Sequence, residues 1–144
     1  MSNPTTTRTE PRRAGQMPGW IIWSQRVLIT LVAAGGVLQP FIAGLFVTGN
    51  VGLLLVHVMI AAAMVFFGLL LVVATVLSWR PGHGPGRAVV APVVLLSLIL
   101  AQSALGAFRV LEIHFPLAFA IAGISIGLAT RSWRSGDSRA VAAR

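Results

Sequence analysis

Two histidines, His57 and His114, stand inside otherwise apolar runs, "LLLVHVMIAAA" over residues 53–63 and "EIHFPLAFAIA" over residues 112–122. A neutral imidazole is a ligand for transition metals, and an ionisable group inside an apolar segment calls for a partner. A glutamine precedes each histidine, Gln39 before His57 and Gln102 before His114. The surroundings repeat as well. Gln is followed by Gly (Gly44, Gly106) and then by Phe two residues later (Phe46, Phe108), while each His is followed by an aliphatic residue, Ala, any residue and Ala: Ile60, Ala61 and Ala63 against Leu117, Ala118 and Ala120. This order reads as a duplicated helical hairpin. Gly44 and His57 are 13 residues apart and Gly106 and His114 are 8 apart, so the stretch "VTGNVG", 47–52, is expected to take the extra residues as outer loop.

Parallel repeats related by an axis along the membrane normal set equivalent residues opposite one another at similar depth. Two opposed neutral imidazoles can bind one metal from both sides. Bare zinc suits this pair poorly, because a structural zinc site takes about four ligands and neither histidine has a thiolate or a second carboxylate near it. A haem macrocycle brings its own equatorial nitrogens and leaves two axial places, so the expectation is haem b between His57 and His114, with Ala61 and Ala118 leaving room for a flat group. Arg109, five residues before His114, is the candidate partner for a propionate; its alternatives are a pair with Glu112 at i, i+3 or a snorkel to water. Gln39 and Gln102 are candidates to donate toward the cofactor or a quinone headgroup, or else to bond between helices. The histidine pair also has a cofactor-free alternative, in which each ring bonds to Gln or to a carbonyl of a neighbouring helix.

The elements that must position these side chains are membrane helices. The chain has 144 residues, 56% of them hydrophobic and only 10% charged, with a mean hydropathy of +0.88. Such a composition belongs in a bilayer. Apolar runs at about 21–47, 53–77, 88–107 and 113–130 each approach the 20 or so residues that cross the hydrocarbon. Backbone groups in lipid must be satisfied within the segment, and no period-2 alternation is present, so helices are expected rather than a barrel. The predicted fold is all-α: an integral membrane four-helix bundle of two tandem hairpins over residues 20–133, with a disordered tail at 1–19 and a polar tail at 134–144. The first run is too long for the apolar region of a signal peptide and is read as a retained helix.

The net charge of +8 comes from 11 arginines, with no lysine and three acids. Ten of those arginines flank the first helix, the loop between the second and third, or the end of the fourth. By the positive-inside rule both termini and the middle loop are cytoplasmic, and the connections near 48–52 and 108–113 face out. Trp20, Trp23, Trp79 and Trp133 lie beside the arginines, as an interfacial aromatic belt would. The arginines are thus read as a topology signal and a contact with the lipid bilayer, and no nucleic acid is expected. Cysteine is absent, which excludes disulfides and thiolate sites. His83, in the Pro- and Gly-rich loop "WRPGHGPGR", lacks a second ligand and reads as solvated. Pro40 and Pro92 are potential helix breaks, and Gly123 with Gly127 on the fourth helix would admit a close helix neighbour.

With Gln39, Gly44 and His57 in one half and Gln102, Gly106 and His114 in the other, residues 20–133 resemble one half of a haem A synthase, a family of two fused four-helix units with a histidine on the second and fourth helix of each. They also resemble the small four-helix membrane proteins of high-GC bacteria that hold a single such unit. The resemblance implies haem contact, a bacterial cytoplasmic membrane and a redox or membrane-complex partner. It does not extend to the oxidation of haem methyl groups, because a second half is absent and residues 44–52, "GLFVTGNVG", hold no carboxylate. No acid, base and nucleophile constellation supports an independent enzyme. The functions in competition are a b-type haem protein for electron transfer or haem handling, a cofactor-free scaffold or accessory subunit of a larger complex, and, with least support, a transporter subunit.

Overall fold

The apolar runs form four long helices in the computed structural model, which describes residues 18–80 and 85–141, with side chains as far as residue 134. Helix α1 is Gly19–Val47, α2 is Leu53–Trp79, α3 is Val90–Ala107 and α4 is Leu111–Val141, and a single 3-10 turn at Gly86–Val89 leads into α3. No strand occurs among the described residues. The apolar spans are 29, 27, 22 and 24 residues long, the third counted with its leading turn, against about 20 needed to cross about 30 Å of hydrocarbon. The chain is therefore an all-α, multi-pass membrane protein.

The four helices form a ring. α1 packs on α2 and α4, α3 packs on the same two, and the diagonal pairs α1/α3 and α2/α4 have no Cα atoms within 8 Å. Small residues set the crossings, as expected where lipid supplies no hydrophobic drive and backbones must approach closely. A Cβ on Gly36 would lie 3.3 Å from the Ala122 Cα of α4, one on Gly35 would run into Met64 of α2, and one on Gly68 would lie 3.2 Å from Leu96 of α3. Around these crossings Ile29, Val32, Met64, Leu71, Leu95, Ile99 and Ile121 seal the half of the bundle nearer the arginines. Phe41, Leu55 and Met59, by contrast, are more than 60% exposed, the inverse of a water-soluble surface and suited to hydrocarbon.

Both hairpins turn in the same way. At the end of α1, Gly49 N–H donates to Phe46 O and Asn50 N–H to Leu45 O; at the end of α3, Arg109 N–H donates to Gly106 O and Val110 N–H to Leu105 O. These are paired Schellman closures, whose left-handed position is normally glycine. Gly49 fills it with φ 118°, but in the second hairpin the residue is Arg109, with φ 60°.

Three expectations about the elements are corrected. Neither Pro40 nor Pro92 breaks a helix: α1 runs through Pro40, and Pro92 falls in the first turn of α3, where a missing N–H costs nothing. The fourth helix does not stop near residue 130 but continues to Val141, because "RSWRSGDSRAV" holds no proline and has three arginines, arginine being a good helix former. Gly19 already belongs to α1. The remainder of the predicted N-terminal tail (1–17), His83 and the last three residues lie outside the described residues.

Candidate functional site

Away from the sealed half, the diagonal gap between α2 and α4 widens into a cavity of about 560 Å³ with a predominantly apolar lining. His57 from α2 and His114 from α4 project into it from opposite sides, their ring centroids 6.4 Å apart and their planes inclined at 49°. The lining follows the duplication. Counted from each histidine, positions −3, +1, +4, +5 and +7 face the cavity in both halves, pairing Leu54 with Leu111, Val58 with Phe115, and Ala61 with Ala118 among others. The two hairpins thus present equivalent positions to the cavity.

The glutamines turn toward the histidine backbone. Gln39 Nε2 donates to the His57 carbonyl at 3.1 Å, and Gln102 Nε2 donates to the His114 carbonyl at 2.9 Å. In the second half the contact is reciprocal, since His114 Nδ1 lies 3.1 Å from the Gln102 carbonyl. A carbonyl only accepts, so Nδ1 carries the proton, and in the neutral ring Nε2 keeps its lone pair. Each hairpin therefore ties its histidine to the preceding helix, and at His114 the tie also selects the tautomer that leaves Nε2 unprotonated. This second-contact orientation is the usual setting of a metal-binding histidine. Three polar atoms remain sealed and unpartnered: His57 Nδ1, Gln39 Oε1 and Gln102 Oε1.

The order of matched residues needs one correction. Gly44 is not the counterpart of Gly106: counted from the glutamines, Ala43 occupies that position, and both Ala43 and Gly106 line the cavity, whereas nothing lies within 4 Å of a Cβ built on Gly44. Nor do the phenylalanines correspond, because Phe46 stands edge-on to His57 at 5.5 Å while Phe108 is 80% exposed. The cause is helix length. Gln39 and His57 are 18 residues apart and Gln102 and His114 are 12 apart; α1 continues one turn further past its glutamine than α3 does, so only part of the difference is loop. In the second half the aromatic contact comes from Phe115, 6.0 Å from the His114 ring.

Arg109 is at the outer turn and is not among the residues lining the cavity, although its neighbours Gly106, Ala107 and Leu111 are. No group of three or more His, Cys, Asp or Glu side chains that could hold a metal ion occurs among the described residues. The predicted histidines and glutamines converge, then, while Arg109 stands at the rim. Sequence reasoning missed Leu54, Leu111 and Phe115, and read Phe46 only as an anchor of the repeat; the signal that finds the first three is their register with the histidines, read only after the duplication is aligned. Comparison with protein-family models, with curated proteins and with solved structures gives no match.

Proposed function

We propose that this protein binds b-type haem between His57 and His114 and serves in electron transfer or haem handling in a bacterial cytoplasmic membrane, with its arginine-rich end toward the cytoplasm. The observation that carries the reading is the pair of opposed rings, 6.4 Å apart across the cavity. Rings at this separation could each give one nitrogen to a metal between them, which would need about 2.0–2.1 Å per bond. The cavity volume falls within the roughly 300–1,000 Å³ typical of cofactor sites, whereas a lone ion would need no such space. The small side chains of Ala61 and Ala118 keep the slot open beside the rings, and Gly106 leaves room for the His114 ring itself.

Haem held in this way supplies a one-electron redox centre. The protein's own part is positional: Gln39 and Gln102 hold the histidine segments, the Gln102 carbonyl orients one ring, and the apolar lining excludes water. Arg109 is the proposed partner of a propionate at the rim. Its left-handed backbone, φ 60°, supports a role there, because a non-glycine residue kept at a glycine position marks a constraint other than stability.

Purified protein supplied with haem is expected to give a reduced-minus-oxidised b-type spectrum, which the single variants His57→Ala and His114→Ala should each abolish. An invariant spectrum from wild type would end the proposal. It would leave the cofactor-free scaffold, for which His57→Gln with His114→Gln preserves assembly and a stoichiometric partner is recovered.

A further inference from the structure

At the opposite end of the bundle a second built feature lies across α1 and α4. Arg26 Nε donates to the Ser132 carbonyl at 3.2 Å, and its guanidinium carbon lies 5.2 Å from the Trp133 ring centre and 5.6 Å from that of Trp23. The two indoles meet edge-on at 5.5 Å. Trp133 Nε1 donates to Thr30 Oγ1 at 3.1 Å, and Thr30 Oγ1 donates in turn to the Arg26 carbonyl at 2.8 Å. One hydrogen-bonded loop thus fixes the arginine, the Trp133 ring and the helix pair, with Trp23 held against them by its ring contacts alone, and the freedom such a side chain must give up on binding has already been lost.

The fork is only partly used. Of the five N–H donors of a guanidinium, only that on Nε has a partner among the described residues. The one carboxylate among the described side chains, Glu112, is at the far end of the bundle in the first turn of α4. An arginine within an apolar span is costly unless an oxygen anion meets it at the interface. Two phosphate oxygens match its planar, bidentate geometry. Toward the bilayer centre from the clamp, Val27, Leu31 and Ile126 are 41–48% exposed and offer an apolar path for acyl chains, which a soluble phosphate would not need. Arg80, Arg87, Arg131 and Arg134 share this end of the molecule, so the local field favours a headgroup with net negative charge over a zwitterionic one.

We infer that the Arg26, Trp23 and Trp133 clamp is a binding site for the phosphate of an anionic phospholipid, seated between α1 and α4. The test is native mass spectrometry of the full chain in mild detergent, with phosphatidylglycerol or phosphatidylcholine added. Wild type is expected to retain one phosphatidylglycerol in clear preference to phosphatidylcholine, with Arg26→Gln lowering retention about tenfold and Arg87→Gln, which removes only a share of the local field, lowering it no more than about twofold. Arg26→Lys, which preserves the charge and guards against a folding failure, is expected to lower retention several-fold because an ammonium lacks the fork. Equal retention by Arg26→Lys and wild type, equal retention of the two lipids, or displacement of the lipid by millimolar inorganic phosphate would overturn the proposal.

Discussion

Gly106 and Arg109 stand three residues apart at the end of α3 and meet opposite demands. A Cβ on Gly106 would come within 2.8 Å of His114 Cε1, so Gly106→Ala must push the ring or separate the helices. We expect it to cost about 1–3 kcal/mol in a detergent unfolding assay and to disturb haem uptake, while Gly44→Ala, in open space, is neutral or stabilising by up to about 1 kcal/mol. Arg109→Gly relieves the left-handed backbone and should stabilise the protein by about 1–2 kcal/mol, yet weaken haem binding roughly two- to five-fold, the worth of one exposed ion pair. Loss of stability in Arg109→Gly, or unchanged haem affinity, would remove the role given to this residue. The histidines and glutamines were legible in the sequence because a polar group in an apolar helix is an anomaly that needs a partner. Leu54, Leu111 and Phe115 were not, since an apolar residue in a membrane helix looks the same whether it faces lipid or a cavity.

Among the elements, α1 and α4 cross at a backbone-to-backbone approach. Gly36 sits against Ala122 and Ser125, whereas Gly123 and Gly127 have nothing within 4 Å of a built Cβ. The sequence marks all of these as small residues suited to close packing, but it does not say which way each one turns. Gly36→Leu is therefore expected to destabilise the folded chain by about 1–3 kcal/mol, and Gly127→Leu to leave the monomer's melting unchanged; the reverse order would show that the packing face of α4 is wrong. Helix existence was read correctly because long apolar runs have one solution in lipid. Helix ends were read less well: the polar continuation of α4 and the extra turn of α1 carry no change in hydropathy sharp enough to mark them.

For the whole molecule, the side chains at equivalent positions of the two hairpins account for one sealed end and one open end: large aliphatics such as Val32 with Leu95 and Met64 with Ile121 close the first, while Ala43 with Gly106, Ala61 with Ala118 and the two histidines line the cavity of the second. The duplication was visible in the order of anchors, but its residue-by-residue register was not, because the two halves differ by a helical turn. The equivalence makes a demand on any occupant, which must be bound by both hairpins at once. The spin state of the oxidised, haem-loaded protein tests this most directly, by electron paramagnetic resonance at one haem per chain. A low-spin, six-coordinate signal that becomes five-coordinate and high-spin, or disappears, when either His57 or His114 is replaced by Ala is the predicted result. A low-spin signal that survives the loss of either histidine would contradict it.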